Sequence, residues 1–296
     1  MVALRWPDGK VICPNCGSDD VSYLPNARVF KCYQKHDRQK FSLKIGTIFE
    51  DSPIGLDKWL PVMWLLVNAK NGISSWEIHR AIGVTQKTAW FMLQRARLAM
   101  QDNVTGGKLG GEVEVDETFI GGKARFMHRE RKMRVQKDGR NTGGKTVVIG
   151  ALERKGHVRA AVAPNRSKKE LQAHVREHVT PGAEIHSDEH ANHWRMDDEY
   201  THQVVNHLES YVDGNIHTNG LENFWSLLKR GLGGTYIAVE PFHLFRYVDE
   251  QAFRYNNRVG MNDLDRFIAV MKQVVGKRLS YAELTGKEGE TAATAF

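Results

Sequence analysis

Alternating apolar and acidic residues run along the stretch EVEVDETFI, residues 112–120. Because successive side chains of a strand point to opposite faces, its two valines share one face and its acids share the other. The acids of that second face are Glu112, Glu114 and Asp116. A buried column of carboxylates is costly unless a cation meets it. The pattern therefore predicts a strand whose acidic face contacts a cation.

Further apolar runs predict a sheet around this strand. KTVVIGALE (145–153) and HVRAAVA (157–163) have strand patterns, Ser167 can cap a helix after them, and AEIHSD (183–188) is another short strand. The order β-β-β-α-β predicts an α/β fold with a mixed sheet and flanking helices. Sites in open sheets gather at strand ends, where Asp116 and Asp188 would be neighbours.

Helical periodicity dominates residues 46–106. Ser74 and Glu77 form a capping box, Gly83 makes a turn, and Thr85 caps a second helix. The core-facing stripe of that helix is Ala89, Leu93, Ala96 and Met100. The arrangement predicts either a helix-turn-helix or an ordinary helical hairpin. In a helix-turn-helix, Gln86, Lys87 and Thr88 would lie near base edges, and Arg95 and Arg97 near phosphates.

A third helical segment is HTNGLENFWSLLKRG, residues 217–231. Its apolar spacing places Glu222 and Lys229, two turns apart, on one face. Carboxylates of Asp116, Asp188 and Glu222 could hold two divalent ions about 4 Å apart, a clamp for in-line phosphoryl transfer. Oxygen ligands favour Mg²⁺ or Mn²⁺ over zinc.

The cysteines predict a different metal site. Cys13 and Cys16 form a two-residue knuckle, and Cys32 follows at a spacing typical of a zinc ribbon. The fourth ligand predicted is His36, since imidazole binds zinc well. Metal binding would supply folding energy to so small a segment. The alternative is three reduced cysteines without a ligand.

Composition narrows the class of protein. The chain has 296 residues, 41% of them hydrophobic, which excludes wholesale disorder. No apolar run approaches the roughly 18 residues of a membrane span. A formal net charge of +7 favours a polyanionic partner, nucleic acid before an anionic membrane. We therefore expect a cytoplasmic protein, associated with the nucleoid when bound to DNA, with no membrane partner.

These motifs together resemble bacterial insertion-sequence transposases of the DDE superfamily. VDETFIGGK, a strand ending in an acid, and HTNxxExFWSLLKRG are similar to the group with an N-terminal zinc ribbon and a ribonuclease-H-like catalytic domain, over roughly residues 10–260. The resemblance implies that Asp116, Asp188 and Glu222 are the catalytic triad and that Lys229 contacts DNA beside it. Asparagine sometimes replaces the third acid in this group, so the resemblance leaves Asn219 and Asn223, on either side of Glu222, as alternative ligands.

Four segments follow from this resemblance and the patterns. We expect a zinc ribbon in 1–45, a helix-turn-helix in 46–106, a ribonuclease-H-like domain in 107–260, and a C-terminal helix with a flexible tail in 261–296.

The implied activity is cleavage at element ends and joining of the 3′ hydroxyl to target DNA. The expected partner is double-stranded DNA, bound by a homo-oligomer. Lys123 opens a basic segment, residues 123–140, that could contact the DNA backbone. Two alternatives remain: a ribonuclease-H-like nuclease that does not join strands, and a DNA-binding regulator with a relic catalytic domain.

Overall fold

The computed structural model describes residues 1–101, 107–122, 129–130, 133, 144–188, 196, 198–205 and 218–286. At positions 188, 204 and 205 the description covers the backbone alone. The chain divides into two compact units. Met1–Gln101 and Gly260–Phe296 form the first unit, and Asp102–Val259 forms the second.

The regular elements of the described residues are as follows in chain order. The helices are α1 Val2–Arg5, α2 Leu56–Asn68, α3 Ser75–Ile82, α4 Gln86–Met100, α5 Lys168–His178, α6 Asn219–Arg230, α7 Leu244–Asn256, α8 Asp263–Lys272 and α9 Tyr281–Thr285. The strands are β1 Val21–Leu24, β2 Val29–Cys32, β3 Lys40–Phe41, β4 Glu112–Ile120, β5 Thr146–Glu153, β6 Val158–Ala163, β7 Glu184–Asp188 and β8 Thr201–Val205.

A small antiparallel sheet, β1-β2-β3, begins the first unit. Its core is aromatic, with Phe30 stacked on Phe41 at 5.6 Å between ring centroids and Trp6 edge-on to Phe30. Cys13 and Cys32 are buried in the same cluster. The core is small, which agrees with the prediction that metal binding supplies folding energy to this segment.

Two helices joined by a short turn, α3 and α4, follow in the same unit. The predicted capping box of Ser74 and Glu77 is confirmed at the start of α3, and Thr85 caps α4 through the Thr88 N–H. Gly83 ends α3 at φ 63°, a left-handed conformation that glycine adopts without a side-chain clash.

The C-terminal segment packs on these helices. Arg266 Nε donates to Asn68 Oδ1 at 3.0 Å, and Trp64 contacts Phe267 with ring centroids 5.6 Å apart. Lys277 Nζ donates to two carbonyls at the end of α4. The segment after Gly260 is thus part of the first unit, a packing that local patterns did not indicate.

The second unit is built on a five-stranded sheet in the order β6-β5-β4-β7-β8. β4 pairs antiparallel with β5 and parallel with β7, and β7 pairs parallel with β8. This confirms the predicted α/β fold, a ribonuclease-H-like mixed sheet with flanking helices.

Each face of the sheet has its own core. Val113 and Val115 pack towards α5 with Val175 and Ile185, while the opposite face packs on α6 and α7. The acids of β4 point to this second face, as the alternation predicts. Within the described residues, no helix combines the length and apolar character needed to cross a membrane.

Candidate functional site

A cleft of about 470 Å³ opens between β4 and α6. The residues that line it are Asp116, Glu117, Thr118, Glu222, Trp225, Ser226 and Lys229. Glu222 and Lys229 are exposed on one face of α6, as their spacing predicts. The structure thus brings Asp116, Glu222 and Lys229 to a single cleft.

Hydrogen bonds from Trp225 and Glu117, both within the described part of the chain, hold the carboxylate of Asp116. Its Oδ2 accepts the indole N–H of Trp225 at 2.9 Å, and its Oδ1 accepts the backbone N–H of Glu117 at 2.8 Å. The site residues predicted from the sequence did not include Trp225. It is buried, yet it also orients Asp116. Its position one turn after Glu222 was the signal that could have shown this.

Glu114 holds the start of α6. Its carboxylate is 2% exposed, and Oε2 accepts the backbone N–H of Leu221 at 2.9 Å. N–H groups in the first turn of a helix lack partners within the helix, and Thr218 makes no side-chain cap. Glu114 therefore caps α6 from the neighbouring strand and sets the position of Glu222.

Gly220 makes this contact possible. A Cβ at this position would lie 2.5 Å from Leu152 Cδ2 and 2.8 Å from Glu114 Oε2. Any larger residue would displace the Leu152 side chain or the Glu114 carboxylate, and with that carboxylate the cap on α6. Neither Glu114 nor Gly220 was predicted from the sequence to be a positioning residue.

Arg154 is the cation that meets the far end of the acidic column. It pairs with Glu112, and its Nε lies 3.7 Å from Glu114 Oε1. His186 lies beside it, with Nδ1 3.3 Å from Arg154 Nη2. Burial, followed by the charge of Arg154, lowers the pKa of His186. The acidic residues of β4 therefore have two environments. Arg154 neutralises Glu112 and Glu114 at one end of the strand, and Asp116 faces the cleft at the other.

Asp188 is the last residue of β7, on the strand next to Asp116. Val115 pairs with Ser187, so the next positions along the two parallel strands are Asp116 and Asp188. The side chain of Asp188 lies outside the described residues, as does Lys123 together with most of the basic segment 123–140. Asn219 is exposed at the first position of α6 and does not line the cleft as far as the chain is described.

The predicted zinc ligands converge in the first unit. Ligand atoms of Cys13, Cys16, Cys32 and His36 all lie within 4.8 Å of one another. Cys13 Sγ is 3.5 Å from His36 Nε2, and Cys16 Sγ is 3.6 Å from Cys32 Sγ. Three sulfurs and one imidazole nitrogen form a donor set that fits a tetrahedral structural zinc.

The predicted DNA-contacting residues of α4 differ in accessibility. Lys87 is exposed, with Nζ 5.4 Å from the ring centroid of Tyr281, and Gln86 donates to Ser75 Oγ at 2.8 Å. Thr88 is half-buried and shares a 2.8 Å hydroxyl contact with Thr85.

Arg95 and Arg97 are 4% and 1% exposed, which does not support the predicted phosphate contacts. Arg95 instead donates to the carbonyls of Glu50 and Leu279. The buried face of α4 extends further round the helix than its four-residue stripe indicates, because the C-terminal segment packs on it.

Comparison with known proteins agrees with this geometry. The model of the ISXO2-like transposase domain matches residues 108–256, about half of the chain. The chain belongs to the ISXO2-like transposase family. The model of the transposase zinc-ribbon domain matches residues 1–34, a stretch that contains the three cysteines and stops before His36.

A relative from Halobacterium salinarum bears the description "Uncharacterized protein in transposable element ISH50". It is 28% identical over 244 residues, which cover 78% of this chain and 81% of the relative. The resemblance predicted from the motifs is thereby confirmed.

Proposed function

We propose that the protein is a DNA transposase that binds insertion-sequence ends, cleaves them, and joins the freed 3′ hydroxyl to target DNA. The observation that carries the proposal is the cleft in which Asp116 and Glu222 lie with Lys229, beside the position where Asp188 ends β7. Membership of the transposase family supports it.

Divalent ions, two Mg²⁺ or Mn²⁺, would be held by Asp116, Asp188 and Glu222. The donor set fits these ions, because it consists of carboxylate oxygens without sulfur or imidazole. When bound, the ions activate the attacking oxygen and stabilise the leaving oxygen. The hydrogen bonds of Trp225 and Glu117 keep the Asp116 carboxylate aimed into the cleft.

The chemistry consists of two in-line displacements. In cleavage, a water oxygen bonds to the scissile phosphorus while the bond to the 3′ oxygen breaks. The 3′ oxygen takes up one proton and becomes a hydroxyl on the element, and the second proton of the water passes to solvent. In joining, that 3′ hydroxyl loses its proton as its oxygen bonds to a target phosphorus, and the target 3′ oxygen that leaves takes up a proton. Lys229 places an ammonium group near the phosphate in both steps. This positive charge stabilises the negative charge that the phosphate carries in the transition state.

The first unit would select the DNA. Gln86, Lys87 and Thr88 lie in the first turn of α4, the part of a recognition helix that contacts base edges. A zinc ion held by Cys13, Cys16, Cys32 and His36 would stabilise the ribbon beside it. The transposase would act as a homo-oligomer that pairs two ends.

Incubation of the full-length protein with its flanking element ends, target DNA and Mg²⁺ tests this function. Nicked and joined products are expected. Nicking without joining would favour the ribonuclease-H-like nuclease. Binding with neither product would favour the regulator with a relic catalytic domain.

The third ligand is tested by two variants on α6. Glu222→Gln should retain end binding and lose cleavage by orders of magnitude, because phosphoryl transfer depends on positioned charge. Asn219→Ala is the matched control and should cleave as wild type does. The reverse result would make Asn219 the ligand in place of Glu222.

A further inference from the structure

A turn beyond α6 contains an unusual backbone conformation. A π-helical turn, Gly231–Tyr236, continues α6 and ends at Ile237, which has φ 61° and ψ −57°. The Ala238 N–H donates to the Tyr236 carbonyl at 2.6 Å and closes a three-residue turn around it. A β-branched residue at positive φ is an outlier, since its side chain crowds its own backbone.

Neighbouring groups hold this turn in place. The Ile237 N–H donates to the Leu232 carbonyl at 2.9 Å. The ring of Tyr236 packs on Tyr247 at 4.7 Å, and its hydroxyl donates to the buried carboxylate of Glu250. Strain of this kind persists only where the surroundings determine it, and such positions concentrate at functional sites.

The turn holds an apolar side chain in solvent. Ile237 is 80% exposed, although burial of its side chain would be favourable. Both the backbone strain and the exposure work against folding stability. The arrangement is therefore better explained by a contact that Ile237 makes with a bound partner.

Its location indicates which partner. A groove of about 460 Å³ lies beside Ile237 and is walled by apolar side chains, including those of Phe119, Leu232 and Val239. Lys229 lines both this groove and the cleft that holds Asp116 and Glu222. An apolar wall joined to a cation suits a nucleotide, whose base is flat and apolar on its faces and whose phosphate is anionic.

We infer that Ile237 is a wedge that enters the DNA at the bound end, so that the base next to the scissile phosphate unstacks into the groove beside Lys229. Proteins that distort DNA commonly insert an apolar side chain between base steps. A wedge carried by the turn that continues α6 would fix the distance between the unstacked base and Glu222. The inference rests on the proposed function, which brings DNA to this cleft.

The test uses full-length protein and element ends that carry 2-aminopurine at positions flanking the cleavage site. Wild type should raise its fluorescence several-fold at one position, because an unstacked base is no longer quenched. Ile237→Gly should abolish the rise and slow cleavage of paired DNA by about tenfold or more, since unstacking one base step is unfavourable. Ile237→Leu should retain both.

Two further measurements separate this role from a structural one. Ile237→Gly should melt at the wild-type temperature or above it, because glycine tolerates positive φ. Cleavage by Ile237→Gly should recover on ends with a mismatched terminal base pair. Val259→Gly is the matched control: Val259 is 77% exposed in the same unit, outside the positive φ region, and its loss should change neither signal nor rate.

The outcomes distinguish the wedge from the proposed function. If wild type cleaves and Ile237→Gly gives the same fluorescence and rate, the wedge is wrong and the transposase stands. If Ile237→Gly dissociates an oligomer without changing the fluorescence, the face binds a second copy of the chain and base insertion is wrong. If no preparation cleaves in Mg²⁺, the proposed function itself fails.

Discussion

The indole N–H of Trp225 donates to Asp116 Oδ2 at 2.9 Å, which joins the packing of α6 directly to a carboxylate of the cleft. The ring fits because β5 has glycine at position 150, where a Cβ would lie 2.8 Å from two carbons of the indole. One aromatic side chain therefore fills the core and orients a site residue.

Trp225→Phe should keep most of the packing and lose the hydrogen bond. The free energy of unfolding should fall by about 1 kcal/mol. Cleavage should fall by about 10–100-fold, the usual effect of losing a group that orients a metal ligand. Denaturant unfolding and Mg²⁺ titrations of cleavage measure the two effects. Trp76→Phe, at an indole that is 58% exposed, is the control. Equal activity in both variants would show that Asp116 needs no orienting group.

Gly220→Ala should destabilise the second unit by about 1–3 kcal/mol, because the added methyl group meets Leu152 and the Glu114 carboxylate. Helix propensity alone would give the opposite sign. Gly233→Ala is the matched control, since a Cβ there has no atom within 4 Å. Thermal unfolding of the two variants shows whether each substitution raises or lowers the melting temperature. Stabilisation by Gly220→Ala would mean that Glu114 does not set the position of α6.

Arg95→Ala should lower stability by about 3 kcal/mol, since it removes two hydrogen bonds from a charged donor and leaves the Glu50 and Leu279 carbonyls without it. End binding by the folded protein should change little. Arg80→Ala, at an exposed arginine of α3, is the control for the loss of charge. If the Arg95→Ala protein is stable and binds DNA more weakly and with less salt dependence, Arg95 contacts a DNA phosphate as the sequence predicted.

Cys16→Ser should release zinc from the full-length protein, while wild type should bind about one ion per chain. His36→Ala should weaken binding and His36→Cys should retain it, because thiolate replaces imidazole as a ligand. His157→Ala, at an exposed histidine of the second unit, is the control. Elemental analysis and competition with a chelator measure the effect. Full affinity in His36→Ala would assign the fourth ligand elsewhere.

His174 should make the second unit sensitive to acid. Burial, followed by the neighbouring His178, lowers the pKa of His174 to about 3 from 6.5. Below pH 6.5 the unfolded chain binds a proton that the folded chain does not, so stability is full above that pH and is lost progressively towards pH 3. The loss is at most about 1.4 kcal/mol per pH unit.

His174→Gln should remove this dependence, and His157→Gln should not. Urea unfolding of both variants between pH 7 and 4 compares the slopes. A slope in His174→Gln as steep as that of wild type would show that other groups cause the acid sensitivity.

The sequence by itself determined the local elements and the classes of chemistry. Alternation in β4 separated Val113 and Val115 from the acids, and helical spacing put Glu222 and Lys229 on one face. Capping of α3 and α4 was predictable for the same reason: these features depend on neighbours within a few residues, where the backbone period sets the geometry. The cysteine spacing likewise indicated the cluster that the fold assembles.

Tertiary structure decided what depends on residues far apart in the chain. Arg95 is buried where residues after Gly260 return to pack on α4, and its Nε–H donates to the Leu279 carbonyl, a contact that no local pattern records. Glu114 became a cap for α6, and Trp225 a partner of Asp116, through contacts across more than 100 positions. Such contacts are selected by the packing of whole elements, so their chemistry appears only when the sheet and its helices are assembled.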